Sequence, residues 1–151
     1  RPQREELLMK ITEVLKAKPT GAVVTVSPDA TVKDLLGVLA SHNIGAVIVS
    51  SDGSAVDGIV SERDVVRRLN DTEGLLESPV ASIMTSTVHT CDHSEDLDTL
   101  MGMMTERRIR HVPVLADDVL VGVISIGDVV KHKIGQLEFE RDQLDSYVHQ
   151  T

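Results

Sequence analysis

Two serine–aspartate pairs stand at the same spacing in this sequence, Ser61-x-x-Asp64 and Ser125-x-x-Asp128. A serine hydroxyl can donate a hydrogen bond to a phosphate oxygen, and a carboxylate can accept hydrogen bonds from the two neighbouring hydroxyls of a ribose. At the N-terminus of a helix, unpaired amides and the positive end of the helix dipole favour an anion. The pairs therefore suit a sugar-phosphate ligand, provided that each one begins a helix.

The alternative is that each pair only caps its own helix, because Ser-x-x-Asp is also close to a capping box. An isolated copy favours that interpretation. Here the motif occurs twice, 64 residues apart, and each copy follows a glycine and β-branched residues, Gly58-Ile-Val-Ser61 and Gly122-Val-Ile-Ser125. A buried strand that turns directly into a helix has this pattern. The duplication and its context favour a ligand site.

A second group of candidate residues is basic and precedes a β-branched run: Arg107, Arg108, Arg110 and His111. The first two suit the C-terminus of a helix. Arg110 and His111 stand at the start of a strand that continues through Pro113, so the alternation of side chains turns one of them toward a cleft. A guanidinium group there would match a phosphate.

The composition limits the classes of partner. The net charge of −9 and the presence of only two aromatic residues, Phe139 and Tyr147, argue against nucleic acid. No apolar run reaches the roughly 20 residues of a membrane span. No basic segment followed by an apolar one opens the sequence, so we expect no secretory signal.

The single cysteine, Cys91, excludes an internal disulfide and suits a reducing compartment such as the cytoplasm. We predict a buried, unreactive thiol there. His89 and His93 could be metal ligands, but His89 falls in a predicted strand and no carboxylate or thiol cluster completes a coordination shell. We therefore expect no metal site.

The elements that must position these residues form two β-α-β-β-α repeats, which predicts an α/β (α+β) fold. In the first repeat we predict strands at 22–26, 46–49 and 56–60, a turn at Asp52-Gly53, and helices from Thr31 to about His42 and from Ser61 to about Leu69. In the second repeat we predict strands at 87–91, 111–115 and 119–124, a turn at Asp117-Asp118, and helices at 95–107 and from 125.

The predicted domains are a helical segment (1–18), the first repeat (19–69), a linker (70–79), the second repeat (80–133) and a C-terminal helix extension (134–151). Two copies would most simply pack sheet to sheet about a pseudo-twofold axis, with two related clefts between them. The last 22 residues form one helix with an apolar seam interrupted by Arg141: Val130, Ile134, Leu137, Leu144 and Val148. This seam packs either on its own domain or on a second copy in a homodimer.

Three motifs together resemble a tandem pair of cystathionine-β-synthase (CBS) domains, also called a Bateman module. They are the duplicated Gly-x-x-Ser-x-x-Asp, the segment Ile109-Arg-His-Val-Pro-Val114, and Val80-Ala-Ser-Ile-Met-Thr85 at the start of the second repeat. The resemblance covers about residues 8–133, and no catalytic or transporter domain accompanies it. The chain is therefore similar to the stand-alone members of the family.

The resemblance implies a non-enzymatic regulatory module that binds an adenosyl ligand. AMP comes first, with ADP, ATP and NAD as alternatives, and S-adenosylmethionine is also a ligand of the family. It also implies a homodimer and an unidentified regulated protein. By position, Asp64 and Asp128 would hold the ribose hydroxyls of two clefts, Ser61 and Ser125 would contact ribose or phosphate, and Arg110 and His111 would reach phosphate. The adenine would lie against Ile44, Gly45 and Ala46 in one cleft, and against Thr85, Thr87, Val88, Ile109 and Val112 in the other.

The first repeat departs from this pattern. It has Gly45-Ala-Val-Ile48 where the second has Arg110-His-Val-Pro113, without the basic residues or the proline. We therefore expect the two clefts to differ in phosphate affinity, and we favour the Asp128 cleft, where Gly45 and Ala46 would leave room for the base. The competing hypotheses are a dimerisation scaffold that binds no ligand and an enzyme, for which the sequence offers no general acid–base pair.

Overall fold

The structure, a computed structural model, describes residues 9–18 and 23–149. Within those ranges it contains two three-stranded sheets and five α-helices, which confirms the mixed α/β fold class. The elements in chain order are α1 (Ile11–Lys16), β1 (Thr25–Val26), α2 (Val32–His42), β2 (Ala46–Val49), β3 (Gly58–Ser61), α3 (Glu62–Leu69), two 3-10 turns (Leu75–Glu77 and Val80–Ser82), β4 (Cys91–Asp92), α4 (Leu97–Arg107), β5 (His111–Ala116), β6 (Val119–Ser125) and α5 (Ile126–His149).

The contacts group the described residues into two compact units. One unit draws on 9–18, 94–111 and 124–149, and the other on 23–93 and 112–123. The predicted domain boundaries and the packing of the repeats about a pseudo-twofold axis stay predictions. Of the predicted helical segment 1–18, residues 1–8 lie outside the described ranges, as does Ala22 at the start of the first predicted strand.

The first sheet has the order β1-β2-β3, with β2 parallel to β1 and antiparallel to β3. The predicted strand at 56–60 begins later, at Gly58, because Asp52 holds the preceding loop in a turn. The Asp52 carboxylate accepts hydrogen bonds from the amides of Ser54 and Ala55, each at 2.8 Å. Gly53 in the same turn has φ +83°, which glycine adopts at little cost.

The helix α2 begins as predicted. Thr31 and Asp34 form a complete capping box, with the Thr31 hydroxyl accepting from the Asp34 amide and the Asp34 carboxylate from the Thr31 amide, each at 3.1 Å. The helix ends at Asn43, which has φ 52°. Its apolar face packs into a core that it shares with the first sheet, including Val32, Leu35, Leu39, Val47, Val49 and Val60.

The second sheet has the order β4-β5-β6. The predicted strand at 87–91 is wrong in extent, because β4 contains only Cys91–Asp92. Cys91 is opposite Val114 in the parallel register, so one step back along β4 would face Pro113, which has no amide hydrogen to continue the ladder. The turn between β5 and β6 is confirmed, with φ 50° at Asp117 and 65° at Asp118.

In the other unit, α1 and α4 both pack against α5. The backbone before α1 is tied to the start of α4, since Leu97 donates to the Met9 carbonyl at 2.8 Å and Ile11 donates to the Glu95 carbonyl at 3.0 Å. The apolar residues of this unit that are removed from solvent are Ile11, Val14, Leu97, Leu100, Met104, Ile124 and Val129. The start of α5 is thereby held beside the end of α1.

Candidate functional site

The turn from β6 into α5, residues 125–128, is called here the second corner. The Ser125 hydroxyl accepts a hydrogen bond from the Asp128 amide at 3.1 Å, and Oδ2 of Asp128 accepts from the Ser125 amide at 2.9 Å. These two bonds satisfy groups that an unpartnered helix N-terminus would leave open. The motif therefore forms a cap at this position.

The turn from β3 into α3, residues 61–64, is called the first corner, and it is built in the same way. The Asp64 amide donates to the Ser61 hydroxyl at 3.3 Å, and Oδ2 of Asp64 accepts from the Ser61 amide at 2.8 Å. Each cap uses only Oδ2, and Oδ1 of Asp64 and of Asp128 accepts no hydrogen bond from the described residues. The capping role thus leaves one carboxylate oxygen for a ligand hydroxyl.

Lys18 is the residue of this site that the sequence analysis missed. Its Nζ lies 2.9 Å from Oδ2 of Asp128, and the side chains of Lys18 and Asp128 are 33% and 25% exposed. Burial acts to raise the pKa of Asp128, but the hydrogen bonds from the Ser125 amide and the Lys18 ammonium outweigh it and hold the pKa below its ordinary value. Asp128 is therefore a carboxylate at neutral pH.

Arg110 and His111 reach the second corner through the backbone. The Ile126 amide, at the first position of α5, donates to the Arg110 carbonyl at 2.8 Å. The Arg110 side chain is exposed and makes no hydrogen bond or ion pair within the described part of the chain, whereas His111 is half-buried at the start of β5. Of the two residues, His111 is the one whose pKa responds to the charge of Asp128.

Three charged groups act on His111, namely those of Lys18, Arg110 and Asp128. Burial of the imidazole lowers the pKa of His111 below its ordinary value; the positive charges of Lys18 and Arg110 act in the same direction, and the negative charge of Asp128 opposes them. His111 is therefore mainly neutral at pH 7. An added anion would favour its charged form.

The first corner has the same backbone joint with different charges. The Glu62 amide donates to the Gly45 carbonyl at 2.9 Å, in the position that Ile126 and Arg110 occupy in the second corner. A Cβ on Gly45 would lie 3.5 Å from Oε1 of Glu62. An acidic side chain therefore stands beside the position that carries arginine in the other repeat.

A family model for the CBS domain matches residues 11–71 and again residues 80–135. The chain belongs to the CBS domain family. It is 32% identical over 146 residues to the mitochondrial CBS domain-containing protein CBSX3 of Arabidopsis thaliana, across 91% of this chain and 71% of that protein. The chain also matches nearly the whole length of several solved CBS-domain structures.

One of these is a CBS-domain protein from Burkholderia ambifaria MC40-6, which is 38% identical, has a TM-score of 0.78, and matches 84% of this chain and 95% of its own. Another is the CBS domain pair of protein MJ0100 in complex with 5′-methylthioadenosine and S-adenosyl-L-methionine. It is 22% identical, with a TM-score of 0.74 over 85% of this chain and 98% of its own, so the likeness concerns the fold.

The remaining candidate residues of the CBS pair lie in the other unit, except Ile109. Thr85 pairs with Ile59 of β3 through two backbone hydrogen bonds of 2.9 Å, and so lies beside the strand that leads to the first corner. Ala46 is opposite Ser61 in the β2–β3 register. Ile44, Gly45, Val88 and Ile109 are half-buried, Thr87 is exposed, and Val112 and Pro113 are buried. The ligand contacts assigned to these residues, and the grouping of Ile44, Gly45 and Ala46 with Asp128, stay predictions.

Three further sequence expectations concern the described residues only. Cys91 is buried, as predicted. No group of three or more His, Cys, Asp and Glu side chains that could hold a metal ion occurs in residues 9–18 and 23–149. Across those same residues, every helix is too short or too polar to cross a bilayer.

Proposed function

We propose that this CBS pair is a non-enzymatic regulatory module that binds an adenine nucleotide at the second corner and thereby modulates a partner protein in the cytoplasm. AMP is the first candidate ligand, and ADP, ATP and NAD are the alternatives. CBS pairs are generally regulatory, and a protein of the same fold, MJ0100, binds two adenosyl compounds. These findings support the class of ligand, and the charges of the second corner support the phosphate.

The observation that carries the proposal is the set of charges around Asp128. A nucleotide offers a ribose diol at one end and an anionic phosphate at the other. The Asp128 carboxylate can accept from the diol, and Arg110 and Lys18 supply positive charge for the phosphate. His111 would become charged beside the phosphate. Ser125 would contact ribose or phosphate.

The first corner supports weaker phosphate binding. Its carboxylate, Asp64, has the same geometry, but Gly45 and Glu62 stand where the second corner has Arg110 and Ile126. In our proposal the base of the nucleotide at Asp128 lies against Ile44, Gly45 and Ala46. The first corner, with Ser61, Asp64 and the adenine contacts Thr85, Thr87, Val88, Ile109 and Val112, is empty or takes a ligand without phosphate.

Isothermal calorimetry of the full chain with AMP, ADP, ATP and NAD tests the proposal. We expect saturable binding of at least one of them below millimolar concentration. The ligand control is 2′-deoxy-AMP, which lacks one hydroxyl of the diol and should bind roughly tenfold more weakly, because one charge-assisted hydrogen bond is lost. Absence of heat with all four nucleotides at millimolar concentration would contradict the proposal.

A second candidate function, dimerisation, is favoured by the exposed face of α5. Every described residue of this helix from 137 onward is exposed. The predicted seam stays in solvent: Val130 is 48% exposed, Ile134 51%, Leu137 52%, Leu144 66% and Val148 64%. A helical stretch of about 12 residues is marginal without packing, so this face implies a partner.

The charges of α5 indicate that the partner is a second copy of this chain in antiparallel orientation. After Asp128 in its first turn, the first half of the helix carries Lys131 and Lys133, and the second half carries Glu138, Glu140, Asp142 and Asp145. An antiparallel pair sets the basic half of one helix against the acidic half of the other, whereas a parallel pair sets like charges together. Arg141, at the middle of the seam, then lies near acidic residues of the other helix.

Sedimentation velocity tests this interface with two variants that introduce aspartate on different faces of α5. We expect the wild-type chain to be a dimer and Leu137→Asp/Leu144→Asp to be a monomer, since two buried carboxylates would oppose association. The control, Phe139→Asp, alters a 64% exposed residue on the opposite face of the same helix and should leave the dimer intact. A monomeric wild-type chain, or a double variant that remains dimeric, would exclude this interface.

A further inference from the structure

We infer that Lys18 selects adenosine 5′-phosphates over adenosyl compounds without a phosphate, because it must leave Asp128 when the ribose binds. The inference rests on the proposed function and adds to it a specificity-determining residue outside the repeated motifs. It is carried by the ion pair between Lys18 and Asp128 and by the anchoring of the segment that presents Lys18.

The helix α1, which precedes Lys18, is anchored, and the lysine stem is intrinsically flexible. Ile11 and Val14 of α1 have no solvent exposure, and the backbone ahead of the helix is bonded to the start of α4. Lys18 follows the last residue of α1 by two positions and is one-third exposed. An ammonium on a flexible four-carbon stem can therefore exchange one nearby anion for another without unfolding α1.

The ion pair competes with a ribose for the same oxygen. Oδ2 of Asp128 already accepts from the Ser125 amide and from Lys18, and only Oδ1 is without a donor among the described residues. A diol that donates both of its hydroxyl hydrogens engages both oxygens. In our proposal each oxygen accepts one hydroxyl, and the hydroxyl at Oδ2 displaces the Lys18 ammonium because the other donor there is a backbone amide.

The fate of the displaced ammonium depends on the ligand. A positive charge that has lost its carboxylate is unfavourable near Arg110 and His111. Burial is the main cause of the lowered pKa of His111, but the charges of Lys18 and Arg110 lower it further. A 5′-phosphate supplies a new counter-ion for Lys18, so AMP recovers the lost interaction. Adenosine offers no such group, so no contact with the ligand replaces the ion pair that the ribose breaks.

The same reasoning disfavours a sulfonium compound. S-adenosylmethionine places a positive sulfur at the 5′ position, where AMP has its phosphate. Lys18 and Arg110 would then face a like charge at close range. The second corner of this chain should therefore differ in preference from MJ0100, whose complex contains S-adenosyl-L-methionine and 5′-methylthioadenosine.

The test is calorimetry of wild type and Lys18→Met with AMP, adenosine and S-adenosylmethionine. Methionine keeps the length of the side chain and removes the charge. We expect AMP to bind about tenfold more weakly to the variant and adenosine to bind several-fold more tightly, so that the preference for AMP falls by about 30-fold or more. S-adenosylmethionine should also bind more tightly.

Two further variants separate specificity from structure. Lys16→Met removes an exposed lysine of the same segment and should change neither affinity. Lys18→Arg keeps the charge and should restore the preference for AMP. If Lys18→Met weakened AMP and adenosine equally, or left their ratio unchanged, the inference would be wrong while the proposed function stood. If wild type bound no adenosyl compound, both would fail.

Discussion

The Asp128→Ala variant should bind AMP at least tenfold more weakly than the wild-type protein. In the proposed site Asp128 accepts from the ribose hydroxyls, and each charge-assisted hydrogen bond of this kind contributes about 1.5–3 kcal/mol. The substitution removes both acceptor oxygens at once, and with them the carboxylate that pairs with Lys18. Calorimetry with AMP on the purified full chain measures the loss.

The matched control is Asp64→Ala, because Asp64 caps α3 in the way that Asp128 caps α5. Loss of either cap should lower the free energy of unfolding by about 1 kcal/mol, and the partly exposed ion pair with Lys18 adds at most about 1 kcal/mol for Asp128. The melting temperatures should therefore fall by only a few degrees in both variants.

The two variants should differ in binding rather than in stability. Asp64→Ala should retain AMP affinity, since the first corner lacks the positive charges of the second. Equal losses of AMP binding in the two variants would contradict the assignment of the nucleotide to Asp128. A large fall in melting temperature with unchanged affinity would reduce Asp128 to a cap.

Affinity for AMP should rise by roughly tenfold as the pH is lowered from about 8 to about 6, because His111 takes up a proton when the phosphate binds. In the ligand-free protein, burial lowers the pKa of His111, and Lys18 and Arg110 add to this effect against the charge of Asp128. A phosphate beside the imidazole favours the imidazolium and raises that pKa. Calorimetry in buffers of different ionisation enthalpy reports the proton uptake directly.

The control for this effect is His111→Gln, because AMP itself takes up a proton near pH 6. The variant reports the contribution of the ligand alone, and the difference between the two pH profiles belongs to His111. Identical profiles would show that His111 does not contact the phosphate. A decrease in wild-type affinity on acidification, relative to the variant, would mean that His111 binds the ligand in its neutral form.

The same lowered pKa determines the direction in which the stability of the ligand-free protein changes with pH. The unfolded chain takes up the proton of His111 first, near pH 6.5, while the folded protein resists it. The stability contributed by the neutral imidazole is present above about pH 6.5 and is lost as the pH falls through the lower pKa of the folded state. The melting temperature of the wild type should therefore drop further on acidification than that of His111→Gln.

The parts of the structure that could be predicted from the sequence are those that depend on residues close together in the chain. The capping box at Thr31 and the repeated Ser-x-x-Asp motifs mark the starts of α2, α3 and α5 because each involves groups three residues apart. The turn at Asp117-Asp118 likewise depends only on its own backbone. These signals also indicated a mixed α/β fold built from two repeats.

The parts that were missed depend on distant pairs. Lys18 and Asp128 are 110 residues apart, and no repeat of the motif marks Lys18, since the residue 64 positions on is Ser82. The short β4 follows from its register with β5, which brings Pro113 opposite the strand. Neither relation can be seen until the chain has folded. The capping and ligand interpretations of Asp128 were posed as alternatives, but the use of Oδ2 alone for the cap makes them compatible.

The amide-to-carbonyl joint between the start of a helix and the residue just before the central strand of its sheet, Glu62 to Gly45 and Ile126 to Arg110, has a consequence for divergence after duplication. The joint uses main-chain atoms only. The residue that supplies the carbonyl can therefore be glycine in one repeat and arginine in the other, while the hydrogen-bond length stays the same within 0.1 Å. The backbone keeps the geometry of the corner in both repeats, whereas the charges of the side chains can differ between them. Duplication of such a unit therefore gives two sites with the same backbone geometry, and their ligand preferences can evolve separately.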